Sequence, residues 1–142
     1  MAGYQARSKE SVSKKGNMKK QNIQQSDYSQ RERNFLSTIT SEETFQIIVG
    51  KDDSNTLLLW QDEYYMEAYL NLCGIPVTLS KVDTVVFLKW IKENHQEMSF
   101  SIHPVFGQES PKLHPKELTG KIIDKMESHG DFYDTLRENN LL

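Results

Sequence analysis

The chain contains one cysteine, Cys73, in 142 residues, so it can form no disulfide within itself, which suits a reducing compartment. It has only four prolines and seven glycines, and the glycines stand singly as turn punctuation. That pattern leaves no GxGxxG, P-loop or GxSxG motif, and with them goes the visible support for nucleotide chemistry or a nucleophile-elbow hydrolase. No CxxC or HExxH is present to found a zinc site. No apolar run approaches the roughly 20 residues needed to span a bilayer. The basic start, MAGYQARSKESVSKKGNMKK, has no apolar stretch behind it as an export signal would. The expectation is a soluble cytoplasmic protein with no membrane partner, no cofactor and no metal.

Charge is distributed unevenly. Residues 1–33 hold eight Lys and Arg against three carboxylates, net +5, which leaves −8 for the remainder of a chain whose total is −3. The same segment has only Val12 and Ile23 as large aliphatics before Phe35, too few to offset the entropy of ordering it. It is therefore expected to be a disordered basic tail over residues 1–30, with one α+β domain over 31–142. Its lysines lack interleaved aromatics, so nucleic acid is not expected as the partner. Met18 opens MKKQNI like a natural start, so residues 1–17 are expected to be a dispensable extension.

From residue 31 the hydrophobic pattern can be read element by element. RERNFLSTI, residues 31–39, presents Phe35, Leu36 and Ile39 as a short helical face. TFQIIVG (44–50) and TLLLW (56–60) are β-prone runs joined by KDDSN, a hairpin whose acidic loop reads as turn chemistry, since it lacks the glycine and distant glutamate of a calcium loop. WQDEYYMEAYL follows, with Met66, Tyr69, Leu70 and Cys73 on one helical face, Asp62 as N-cap, and Gly74 with Pro76 as the stop. Cys73 is expected as a buried structural thiol.

IPVTL (75–79) reads as a strand, and Ser80 with Asp83 as a capping box for a helix along VDTVVFLKWIKENH. That helix would bury Val82, Val85, Val86, Leu88, Trp90 and Ile91 against the sheet. MSFSIHPVF (98–106) alternates Met98, Phe100 and Ile102 with polar residues as a half-buried strand does. Leu113, Leu118, Ile122, Ile123 and Met126 lie near helical spacing, and DFYDTLRENNLL closes the domain with a further helix. The order is ββαβαβα, a small mixed four-stranded sheet packed by helices.

Candidate functional residues fall into two sets. Asp62, Glu63, Tyr64, Tyr65 and Glu67 put carboxylates beside aromatics on one helix, a composition suited to docking on a basic protein surface. Carboxylates that share one helix face do not oppose each other across a substrate as an acid and base must, so they are not expected to be catalytic. The other set is His103-Pro104 and His114-Pro115 with Cys73, and with His95 and His129 as further material. It would serve a small hydrolase or metal-dependent enzyme if the fold brought those residues together.

The hairpin ending LLLW-QDEYYMEAYL, then IPVTLSKVDTVVFLKWI, then SFSIHPVF and a helix beginning LHPKELTGKI resembles the N-terminal domain of the enhanced serine sensitivity protein SseB and related small bacterial domains. The likeness spans about residues 35–125. Ser101, Ile102, His103 and Pro104 stand where those families have a strand reading roughly "glvINP", with His103 in place of the usual polar residue such as asparagine. The resemblance implies an α+β domain and carries over no catalytic residues. Together these readings predict a non-enzymatic interaction module of a bacterial type, such as a toxin-neutralising immunity protein or a secretion- or stress-associated adaptor.

Overall fold

A computed structural model describes residues 19–94, 97–129 and 133–141. Its elements run α1 (19–24), α2 (Tyr28–Ile39), β1 (Gln46–Lys51), β2 (Thr56–Trp60), α3 (Glu63–Cys73), β3 (Thr78–Asp83), α4 (Thr84–Glu93), β4 (Ser99–Ile102), α5 (Pro115–His129) and α6 (Tyr133–Glu138). The four strands form one mixed sheet in the order β3-β1-β2-β4, in which β1 pairs antiparallel with β2 and β3, and β2 pairs parallel with β4. The expected fold class and element order are therefore present. Among the described residues no helix is long and apolar enough to cross a membrane.

The period of two along each strand sorts side chains to opposite faces of the sheet. On one face Ile47, Leu57, Leu59, Phe100 and Ile102 meet Phe35 and Ile39 of α2, Phe87, Leu88 and Ile91 of α4, and Leu118, Ile122 and Met126 of α5. On the other face Ile48, Leu58 and Trp60 meet Tyr65 and Met66 of α3, with Ile23 of α1 packed beside them. The connections explain this division. The β1-β2 hairpin occupies the centre, so the chain must leave β2, cross one face through α3 to reach β3, and return across the other face through α4 to reach β4.

Local signals place the helices. Asp62 caps α3 by accepting from the Tyr64 amide at 2.8 Å, and Gly74 ends it in the left-handed region at φ 67°. In the hairpin loop Asp52 accepts from the amide and hydroxyl of Ser54, both at 2.7 Å, which is the turn chemistry expected of KDDSN. Gly50 is required by close approach: a Cβ there would lie 2.9 Å from Trp60 Cζ3 and 3.0 Å from Val77 Cγ1. Trp60 is fully buried and its indole N–H donates to the Pro104 carbonyl at 3.4 Å, so it has little room to yield. Gly50→Ala is expected to destabilise the domain by about 1–3 kcal/mol in urea unfolding, the range for overpacking. Wild-type stability in that variant would mean that Trp60 can shift.

Three boundaries differ from expectation. The third strand is residues 78–83 rather than 75–79, because Thr78–Asp83 align in full with Lys51–Gln46 of β1. Consequently Ser80 lies in the strand and Asp83 itself is the N-cap of α4, accepting from the Val85 and Val86 amides at 2.9 and 3.2 Å. Residues 19–30 are not tail: they form α1, a turn and the start of α2. Their few aliphatics are supplemented by polar anchors. Lys20 pairs with Asp62 at 3.1 Å, Gln24 bonds His103 at 2.8 Å, and Asp27 caps α2 by accepting from Gln30 at 2.9 Å. Residues 1–18, and with them the expected extension, lie outside the described residues, as do His95, Phe132 and Leu142.

Candidate functional site

The parallel strands β2 and β4 end side by side at Trp60 and Ile102, and the residues just beyond them, Gln61 and His103, are both buried. His103 adopts φ 45°, a left-handed conformation that histidine, asparagine and aspartate enter more readily than most residues. Its ring lies 4.3 Å from that of Tyr65. The Gln61 Nε2 amide lies 3.1 Å from His103 Nδ1 and also donates to Asn34 Oδ1 at 2.7 Å, so Nδ1 must accept. The remaining ring proton sits on Nε2 and is shared with Gln24 Oε1 at 2.8 Å. Arg31, 1% exposed, packs below: Nε donates to the His103 carbonyl at 3.3 Å, and Nη1 to the Ser26 carbonyl at 2.7 Å and Gln108 Oε1 at 3.5 Å.

This cluster fastens α1 and α2 to the end of the sheet and holds His103 neutral. Burial, with the Arg31 charge adding to it, pushes the imidazole down from 6.5 to about 3. A proton at Nδ1 would face the Gln61 amide hydrogens, so geometry and charge agree. The sign of the linkage follows. Above pH 6.5 the imidazole is neutral in both folded and unfolded chains; below it the unfolded chain takes a proton that the folded chain refuses, and stability falls until about pH 3. His103→Gln is expected to flatten the decline of unfolding free energy between pH 6.5 and pH 5, above most carboxylate titration. A slope equal to wild type would contradict the neutral, locked imidazole.

His103 is thus not poised for acid-base work, and its ring partners are Gln24, Gln61 and Tyr65 rather than His114 or Cys73. His114 is exposed ahead of α5, where its amide donates to Glu117 Oε1 at 3.2 Å. Cys73 is half-buried, not buried, and its thiol donates to the Ile75 carbonyl at 3.4 Å. It is the last residue of α3, beyond the residues that reach the sheet. Among the described residues no three His, Cys, Asp or Glu side chains gather closely enough to hold a metal ion.

The acidic helix face is partly committed to the fold. Asp62 caps α3 and pairs with Lys20, whose ammonium also lies 5.9 Å from the Tyr64 ring centre. Glu63 pairs with Lys81 at 2.8 Å across an exposed surface, and Glu67 is half-buried and also engaged. Tyr65 is 3% exposed against the sheet, so it is removed from the docking set: the helix phase that places Met66 on the sheet carries its neighbour there too. Tyr64 remains half-exposed.

The largest departure lies on α4. Its buried face is Thr84, Val85, Phe87, Leu88 and Ile91, and Val86 and Trp90 stand 55% and 38% exposed. Trp90 is therefore not inside the helix-sheet interface. With the helix beginning at Thr84, the 3.6-residue period selects Phe87 for the core and rotates Val86 and Trp90, one turn apart, onto the flank. There they border an apolar groove of about 470 Å³ whose other lining includes Val49, Leu57, Val82, Phe87 and Met98, with Lys51, Thr78, Ser80 and Glu97 supplying polar edges. Trp90 stacks at 28° on Phe87, with ring centres 6.3 Å apart. The groove adjoins β3, which among the described residues pairs only with β1 and leaves its outer edge open. The sheet register places it on the face opposite α3. The chain matches no known family model, no curated protein and no solved structure.

Proposed function

We propose that the protein is a non-enzymatic protein-interaction module that seats an extended apolar segment of a partner in the groove beside α4. The observation that carries this reading is Trp90 and Val86, exposed at the rim of an apolar groove. Tryptophan is enriched among the residues that anchor binding, because it brings a large area at low entropic cost. The open edge of β3 alongside offers main-chain groups that an extended segment can pair with while alternate side chains enter the groove. The −8 carried by residues 34–142 favours a partner with a basic surface, by speeding encounter and disfavouring wrong partners. A cytoplasmic immunity protein that covers a toxin, or a secretion or stress adaptor, is the form of module this describes.

The test is affinity capture from native lysate with wild-type chain and with Trp90→Ser. A protein retained by the wild type and lost by a folded Trp90→Ser supports the reading. The same retained set from both chains, or none from either, contradicts it.

A further inference from the structure

On the other face of the sheet, α3 leaves part of the β2-β4 pair uncovered, and a second cleft of about 590 Å³ opens there beneath the loop of residues 104–112. Its volume lies within the usual range for small-molecule sites. Leu58 and Ser101 are register partners in β2 and β4 and both line it. Ser101 is 7% exposed, and its hydroxyl bonds to no described residue. Ser110 Oγ, in the overlying loop, is buried and also lacks a partner. The Ser110 hydroxyl is sealed within the loop, whereas that of Ser101 faces the cleft with no partner among the described residues, free both to donate and to accept.

An aromatic wall stands beside these hydroxyls. Phe106 is 46% exposed and meets Tyr69 edge-on at 5.9 Å, and both line the cleft. Asp52 adds a carboxylate whose Oδ1 is occupied by Ser54, and the Ser54 bonds hold it ionised by lowering its pKa. Its second oxygen is left as an acceptor. Glu109 and Lys112 also line the cleft, so charge of neither sign is concentrated there. An unpaired hydroxyl, one free carboxylate oxygen and a half-exposed aromatic ring suit a ring with an apolar face and a polar, uncharged rim.

We infer that this cleft binds a small neutral polyhydroxylated ring of the monosaccharide class, with the half-exposed Phe106 against its apolar face, Tyr69 edge-on beside it, and Ser101 and Asp52 on its hydroxyls. The site shares no anchor with the groove beside α4 and stands or falls separately from it.

The test is titration of the full chain with D-glucose, D-galactose, N-acetyl-D-glucosamine and myo-inositol, followed by amide NMR shifts. At least one is expected to give saturable shifts at Ser101, Phe106 and Ser110, and Ser101→Ala and Phe106→Ala are each expected to weaken it about tenfold, the effect of losing one good contact. Three results would overturn the inference: no saturable shift with any of the four, shifts that both folded variants leave unchanged, or equal saturation by inorganic phosphate.

Discussion

Arg31→Ala is expected to destabilise the domain by roughly 1–3 kcal/mol, the range for leaving buried hydrogen-bond acceptors unsatisfied. The guanidinium is 1% exposed and donates to the carbonyls of Ser26 and His103 and to Gln108 Oε1. None of these acceptors is a carboxylate, so truncation does not strand an opposite charge. It strands oxygens around a void where α2, the end of β4 and the 104–112 loop meet. Against a typical domain stability of about 5–15 kcal/mol, the loss should be plain in urea unfolding. Arg31→Lys should recover little, because a single ammonium cannot serve acceptors placed around a planar fork. A loss below about 1 kcal/mol would show that water takes the place of the guanidinium and that the cluster is not a structural anchor.

The two tryptophans should respond very unequally to the same substitution. Trp60→Ala removes a side chain with no exposure, whose ring packs against Gly50 and lies 5.5 Å from Tyr69, and is expected to cost roughly 3–5 kcal/mol. Trp90→Ala should cost about 1 kcal/mol or less, because its ring lies on the rim of a groove and surface changes are usually small. The comparison is made by urea unfolding of both variants. A Trp90→Ala loss as large as that of Trp60→Ala would return Trp90 to the core and close the groove.

How far the fold was legible follows from which physical signals are local. β2 could be read residue for residue, since TLLLW is bounded by turn formers and Trp60 leads into the cap of α3. The alternation around Phe100 and Ile102 gave β4, and the spacing of Leu118, Ile122 and Met126 gave α5. β3 was displaced because pairing with β1 selects its register, and a partner strand is not a local signal. That displacement carried the reading of α4 with it. Once the cap moves from Ser80 to Asp83, Phe87 turns inward and Trp90 outward, and hydrophobicity alone cannot distinguish a core tryptophan from one at a groove.

The candidate site was less legible for a related reason. Arg31 opened the stretch read as a short helical face, but its charge gave no sign of burial, which is supplied by residues 72 and 77 positions away. His103 was singled out by its unusual His-Pro setting, yet what neutralises it comes from Gln24 and Gln61, which carry no motif. The groove could have been suspected from Val86 and Trp90, an i, i+4 pair left over once a helix beginning at residue 84 has filled its inner face. Asp62, Glu63 and Tyr64 were correctly placed at the start of α3, but their pairings with Lys20 and Lys81 depend on tertiary folding.

The central claim is that a partner seats itself over Trp90. With Trp60→Phe, Trp90 becomes the sole tryptophan emitter in the chain. The most direct measurement is its emission and acrylamide quenching before and after addition of a tryptophan-free form of the captured partner. Desolvation in the groove predicts a blue shift and reduced quenching that saturate with binding. A partner that binds with full affinity and leaves both unchanged would contradict the account.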